Sequence, residues 1–402
     1  MRIAMVSDHA NPLATIGGVD AGGQNVHVAA LAAGLASRGH DVTVFTRRDD
    51  PYPAERVRAG GGYAVEHVPA GPPTDIPKDQ LFEHMPAFAR QLHRRWSQER
   101  FDLVHSHFWM SGVAALEAAT PLELPVVQTF HALGTVKRRH QGSRDTSPLA
   151  RRRLEPWLCR TVDHVIATCR DEIAELRPLG LDLAHATIIP CGVDVHAFEP
   201  SPVAANAPPR LLVLGRLVER KGVDDVIAAL AVLPGVELVI AGGPTQDALS
   251  VDPEVCRLRA LAGSQGTSDR VHFTGRVGRN QVPALIRSVD IVVAVPWYEP
   301  FGIVPLEAMA CGRPVVGSAV GGRLDTVVPG GTGEWVPPRR PDLLATALQE
   351  LLAAPQHRAA YGRAGFERAA RLYRWEHIAV QTEAVYEAVM SGAVSTAAEV
   401  LR

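Results

Sequence analysis

Ser201-Pro-Val-Ala-Ala-Asn-Ala-Pro-Pro-Arg210-Leu-Leu-Val-Leu214-Gly-Arg216-Leu-Val-Glu-Arg-Lys221-Gly222 decides how this chain is organised. Its first part, 201–209, contains three prolines and no periodic core pattern, which is the composition of a linker. Directly after it comes the apolar run Leu211 to Leu214, a strand that ends on glycine and arginine. Lys221-Gly222 then precedes a helical pattern from Val223 to Ala231. The alternation continues with strands expected at 236–240, 271–273, 291–295 and 315–316, and helices at 282–286 and 305–309.

The same rhythm runs upstream of the linker. Ile3 to Val6 reads as a strand and Gln24 to Ser37 as a helix, with Val28, Leu31 and Leu35 at helical spacing and Gly39 as its stop signal. Further strands are expected at 42–46, 65–68, 103–105, 126–129, 165–167 and 187–189, with helices at 85–97 and 111–119. Strands alternating with helices argue for parallel sheets covered on both faces. The expected fold is therefore α/β, with two doubly wound Rossmann-like domains and a cleft between them. Residues 1–200 form the first domain, 201–209 the linker and 210–369 the second domain. Residues 370–402 form a helical tail that returns to brace the first.

The 402 residues suit two domains of about 200 residues each, and 46% hydrophobic content gives each a core. A net charge of -2 is not the broad positive footprint of a nucleic-acid binder. The five cysteines form no CxxC pair and no cluster with histidine, so free thiols in a reducing, cytoplasmic compartment are expected. No stretch has the length and apolarity of a membrane span or a secretory signal. The chain is compatible with a homodimer.

Three stretches carry chemistry. Gly17-Gly18-Val-Asp-Ala-Gly22-Gly23-Gln24 lies between the first strand and helix, where bare backbone amides can approach a phosphate. It does not match the compact GxGxxG fingerprint of a dinucleotide domain. Arg216 and Lys221 follow the first strand of the second half, a directional fork and a mobile point charge suited to a diphosphate. Each is equally at home on a solvated surface when taken alone. Finally, Pro296-Trp-Tyr-Glu299-Pro-Phe301-Gly302-Ile303-Val304-Pro-Leu-Glu307 sets two carboxylates on either side of a glycine turn, able to accept hydroxyl hydrogen bonds from sugar and ribose.

Together these ordered motifs resemble the retaining glycosyltransferases of family four, which have GT-B architecture, from Met1 to about Ala369. The resemblance implies that Gly22 and Gly23 approach the donor diphosphate and that Arg216 and Lys221 neutralise it. It implies that Glu299 contacts the transferred sugar, Glu307 the donor ribose, and Phe301, Gly302, Ile303 and Val304 the rest of the donor. His131, in Gln128-Thr-Phe-His131-Ala-Leu-Gly, matches a histidine beside the sugar; it orients the sugar or stabilises charge and is not a nucleophile. His131, Arg216, Lys221 and Glu299 form the expected catalytic set.

Gly22-Gly-Gln-Asn-Val-His27, Ser106-His-Phe-Trp-Met-Ser-Gly112 and His131-Ala-Leu-Gly-Thr-Val-Lys137 look most like the mycothiol-pathway branch, with similar motifs in sucrose and sucrose-phosphate synthases. That branch implies an acceptor site at Asn25, Lys78, His107, Phe108, Ala132 and Arg152. Phe108 stands in place of a tyrosine and Ala132 in place of a threonine. Both replacements remove hydroxyls from the phosphate-contact region, so the acceptor's name does not transfer. A small hydroxylated acceptor, phosphorylated or not, and a nucleotide-diphosphate sugar, uridine-linked before guanosine-linked, are the expected substrates.

No metal site is expected. Asp49-Asp50 and Asp224-Asp225 read as loop and helix-end acids, and the spacing of His105 and His107 fits a cleft wall as well as a ligand pair. The basic run from Lys137 to Arg153 reads either as a solvated face or as an anion site. Two other classes remain open: a nucleotide-sugar-binding protein without catalysis, and a nicotinamide dehydrogenase, for which a catalytic partner set is lacking.

Overall fold

The computed structural model describes residues 1–14, 22–201 and 208–392. Gly17, Gly18, most of the expected linker and the end of the tail lie outside the described residues. Two compact units result: one contains residues 1–14, 22–191 and 375–392, the other 192–201 and 208–374.

In the first unit the chain runs β1 (Arg2–Val6), α1 (Gly23–Ser37), β2 (Asp41–Arg47), β3 (Arg56–Arg58), β4 (Ala64–Val68), α2 (Met85–Gln98), β5 (Leu103–His107), α3 (Trp109–Ala119), β6 (Val126–Thr129), α4 (Gly134–Gln141), α5 (Arg151–Thr161), β7 (His164–Ala167), α6 (Arg170–Leu176) and β8 (Ala186–Ile188). The sheet order is β3-β4-β2-β1-β5-β6-β7-β8, parallel except for the β3–β4 pair. Strands β1, β5 and β6 are buried along nearly their whole length, as a sheet covered on both faces requires. The strand order reverses direction at β1, between β2 and β5. Ligands of open parallel sheets bind beyond the strand ends at such a point.

In the second unit the order along the chain is β9 (Arg210–Leu214), α7 (Val223–Leu230), β10 (Glu237–Ala241), α8 (Pro253–Ser264), β11 (Val271–Gly275), α9 (Val282–Arg287), β12 (Ile291–Ala294), α10 (Val304–Ala310), β13 (Val315–Ser318), α11 (Arg323–Thr326), β14 (Gly333–Val336), α12 (Pro341–Ala353) and α13 (Pro355–Leu372). The sheet order is β11-β10-β9-β12-β13-β14, all parallel. Its reversal falls at β9, between β10 and β12. No helix among the described residues is long and apolar enough to cross a membrane.

The last helix, α14 (Trp375–Met390), belongs to the first unit and lies along α1. A Cβ on Gly34 of α1 would stand 3.0 Å from Ala379 Cβ, so the two helices meet at small residues. Glu383 accepts from the guanidinium of Arg38 and lies 2.8 Å from His40 Nε2. Tyr386 is fully buried and reaches His105 in the sheet.

Candidate active site

In the first unit, the chain leaves three neighbouring strands into the loops that carry several of the expected site residues. Beyond β1, Asp8 is buried; its backbone N–H donates to Ser111 Oγ at 2.9 Å and its carboxylate accepts from the same hydroxyl at 2.5 Å. Gly22 is the N-cap of α1, and its N–H donates to Asn25 Oδ1 at 2.9 Å, while Asn25 Nδ2 donates to Asn11 O at 2.9 Å. Asn25 thus shapes the loop that carries Gly22 and Gly23. Gln24 Nε2 reaches Ser7 Oγ and His107 O, both at 3.4 Å, linking this turn to the end of β5.

Immediately after β5 and β6 the backbone takes two unusual conformations. Phe108 has φ +82° and His131 φ +60°, a region that side chains other than glycine seldom enter. Such strain persists where surrounding structure over-determines it, commonly at functional sites. His107 Nδ1 and His131 Nε2 lie 2.9 Å apart. His27 meets the His131 ring edge-on at 4.9 Å and its Nδ1 lies 3.3 Å from Cys191 Sγ. His105 lies 2.6 Å from Tyr386 Oη and 3.0 Å from Thr129 Oγ1.

Burial pushes His27 down to about 4 and, with His27 nearby, His105 down to about 3. Burial and the neighbouring imidazoles hold His107 and His131 well below the usual histidine value. These rings are therefore neutral donors and acceptors at neutral pH. The nitrogens of His27, His107 and His131 come within 4.8 Å of one another, the one such ligand-capable group among the described residues. Two of those nitrogens are hydrogen-bonded to each other, while His107 Nε2 is buried without a partner.

The expected acceptor residues are distributed unevenly around Phe108. Lys78 Nζ lies 5.5 Å from the centre of its ring, and Arg151 Cζ 5.0 Å. Arg152 is exposed at the start of α5, whereas Arg151 is buried. Arg151 Nε donates to Glu155 at 2.7 Å and Nη2 to the carbonyl of Ala132 at 2.7 Å. The Glu155 carboxylate also accepts from the Gly134 N–H at 3.0 Å. Much of the basic run is ion-paired: Lys137 with Asp79 and Asp145, and Arg139 with Glu175.

In the second unit the charged residues converge on Glu299, in the loop after β12. Lys221 Nζ and Arg220 Nη1 both contact Glu299 Oε2, the latter at 3.4 Å. Arg220 Nη1 also donates to Tyr298 O at 3.2 Å, and the Trp297 N–H donates to Arg220 O at 2.8 Å. Gly222 makes this approach of loops possible: it has φ +68°, and a Cβ there would stand 2.2 Å from Val295 O. Burial opposes ionisation of Glu299, but Lys221, Arg220 and Arg323 outweigh it and hold the carboxyl well below the usual range. Burial pushes the Lys221 ammonium down to about 8 against the pull of Glu299. Arg216 lies half-buried in the loop after β9.

Phe301 is buried, Gly302 has φ +80°, Ile303 is the N-cap of α10 and Val304 its first residue. Glu307 is buried on α10, and burial pushes its carboxyl up while Arg279, ion-paired with Oε1, pulls it down. The Arg279 guanidinium stacks 4.7 Å from the Phe198 ring.

Arg220, Arg279 and Arg323 were not singled out from the sequence. Arg220 adjoins Lys221, and Arg323 follows the pair Gly321-Gly322, yet nothing in their spacing tells which cation faces inward. Asp8 was likewise not singled out, although a polar residue directly beyond the switch strand β1 was an available signal, and Arg151 entered only as one member of the basic run.

Residues 21–197 match the family described as Glycosyltransferase Family 4, and residues 196–368 match Glycosyl transferases group 1. The chain belongs to the family-four glycosyltransferases, retaining enzymes of GT-B fold that use a nucleotide-sugar donor. It is 35% identical to the D-inositol 3-phosphate glycosyltransferase of Kineococcus radiotolerans, across 96% of this chain and 94% of that one. The structure of sucrose-phosphate synthase from Thermosynechococcus elongatus is similar with a TM-score of 0.89 and 33% identity, covering 98% of this chain and 100% of that one. Anabaena HepE in complex with UDP-glucose shares the fold at a TM-score of 0.75 and 22% identity, over 97% of this chain and 100% of that one. The family resemblance read from the motifs is thereby borne out.

Proposed function

We propose that this transferase moves a hexosyl or N-acetylhexosaminyl group from a uridine diphosphate sugar to a hydroxyl of a small acceptor, phosphorylated or not, in the cytoplasm. The observation that carries the donor reading is the ionised Glu299 carboxylate gripped by Lys221 and Arg220, with Arg323 acting on it through space. Three cations facing one carboxylate leave an excess of two positive charges. Desolvating such an excess costs several kcal/mol per ion, so a dianionic ligand is its natural counterpart.

In this reading Lys221, Arg216 and Arg220 neutralise the diphosphate, and Gly22 and Gly23 present backbone N–H groups to it. Glu299 accepts from sugar hydroxyls through Oε1, which its ion pairs leave aside. Glu307 takes the ribose hydroxyls, with Phe301, Gly302, Ile303 and Val304 shaping the donor surface. The bond from the anomeric carbon to the phosphate oxygen breaks as negative charge grows on the leaving group, which fixed cations stabilise. The acceptor hydroxyl attacks from the same face, and its proton passes to the departing phosphate oxygen. Neutral His131 orients the sugar, and these cations neutralise the leaving charge without requiring a metal.

The acceptor is assigned to Asn25, Lys78, His107, Phe108, Ala132 and Arg152, with Arg151 supporting the Phe108 face. The five free cysteines accord with a reducing compartment. Incubation with a panel of uridine and guanosine diphosphate sugars against polyols, sugar phosphates and inositol phosphates, read by product mass, tests the reading. A uridine-linked donor consumed with a glycosylated small acceptor is the expected result. Transfer from guanosine-linked donors alone, or only onto a polymer, would reject it.

A further inference from the structure

The cations given above to the diphosphate all come from the loop after β9. Arg323 comes from elsewhere, opening α11 in the loop after β13. Its side chain is buried, with 2% exposure. Among the described residues its side chain makes one hydrogen bond, from Nη1 to Ser318 Oγ at 3.4 Å, near the long limit for such a bond. Nε is buried without a partner. A Cβ on Gly302 would stand 3.4 Å from Nη2, and one on Gly317 3.6 Å from Cδ, so the guanidinium is wedged between β13 and the Gly302 turn.

This is poor design for stability. A buried guanidinium without a hydrogen-bonded carboxylate loses its hydration and gains little, and an apolar side chain would fill the space at lower cost. Glu299 stabilises its charge through space, whereas Arg220 opposes it, and burial draws the guanidinium down to about 10. Arg323 is still charged at neutral pH, and it is the residue that raises the excess charge around Glu299 from one to two.

We infer that Arg323 is a specificity-determining residue, whose buried charge, beside Glu299 and the Gly302 turn, makes the site select a nucleoside diphosphate over a monophosphate. The inference rests on the donor reading proposed above. The first phosphate and the nucleoside are common to both ligands, so a cation that acts on the second phosphate changes their ratio. A purely structural role would weaken both alike. Because Nε is screened from solvent, Arg323 acts through the field it adds to Lys221 and Arg220, and a lysine at the same place preserves most of the effect.

Calorimetric titration of the full-length protein with UDP and with UMP tests this, comparing the parent, Arg323→Met and Arg323→Lys. The parent should bind UDP more tightly than UMP. Arg323→Met should narrow that preference about tenfold, and Arg323→Lys should keep most of it. Should the methionine variant fail to fold, Arg323→Gln, which is shorter but keeps an uncharged polar head, serves as the neutral variant. An unchanged UDP-to-UMP ratio in the neutral variant, even with both affinities reduced, would overturn the inference. A parent protein that binds neither nucleotide would instead overturn the donor reading.

Discussion

Lys221 and Glu299, 78 residues apart in the sequence, form an ion pair in the loops that follow β9 and β12. The pair keeps a carboxylate ionised and a lysine poised, and both properties have measurable consequences.

The first concerns pH. Lys221 is charged below about 8 and loses its proton above it. A bound diphosphate favours the charged form, so affinity is linked to protonation. The dissociation constant for UDP should be level around neutrality and weaken as pH rises beyond about 8. Lys221→Arg, which stays charged, should flatten that rise. Titrations across the alkaline range check both curves.

His131 makes a second case. It sits at φ +60°, paired with His107 and neutral. His131→Ala removes one hydrogen-bonding group worth about 1–2 kcal/mol, and turnover at saturating donor should fall about tenfold or more. Unchanged turnover would show that the ring has no part in holding the reacting sugar.

Acid stability follows from the same imidazoles. In the unfolded chain they bind protons below about pH 6.5, whereas in the fold His27 resists until about 4 and His105 until about 3. Their folded values are depressed, so stability is complete above about 6.5 and is lost as pH falls through that window. His27 alone contributes roughly 3 kcal/mol of this loss. Denaturant midpoints measured from neutrality to about pH 4 should fall steadily, and less steeply in His105→Gln.

Gly321 provides a test of the loop packed against Glu299, on the proposed donor side. It has φ +56°, and a Cβ there would stand 1.8 Å from Glu299 O. Gly321→Ala must therefore displace the Glu299 backbone or strain its own. A loss of about 2 kcal/mol or more in stability, with donor affinity falling alongside it, is expected. Thermal unfolding and UDP titration of the same sample read both effects.

The parallel βα framework was legible because β1, β9 and β12 are short, mainly apolar runs closed by turns, a pattern that packing on both faces enforces. Strand β5 was read only to His105, since two polar residues follow. It continues to His107 because Thr129 of β6 and Tyr386 of α14 satisfy His105, and because His131, beyond β6, pairs with Nδ1 of His107, information that is not local. Helix α5 was hidden by Arg151-Arg-Arg and by Pro156 within it. Of these three arginines only Arg151 is buried, because Glu155 one turn later neutralises it. For the proposed donor site, Lys221, Glu299 and Glu307 could be named from their motifs. Arg220, Arg279 and Arg323 required knowing which loops meet, since a lone surface arginine and a buried one look alike in a sequence.

In the proposed reaction the cationic loop after β9 binds the donor's diphosphate. Calorimetric titration of UDP into the parent and into Lys221→Ala, with unfolding temperature as a control on the fold, tests this directly. Removing one charge-assisted contact of roughly 3 kcal/mol should weaken UDP about a hundredfold while the fold persists. Equal affinity in the two proteins, at equal stability, would contradict it.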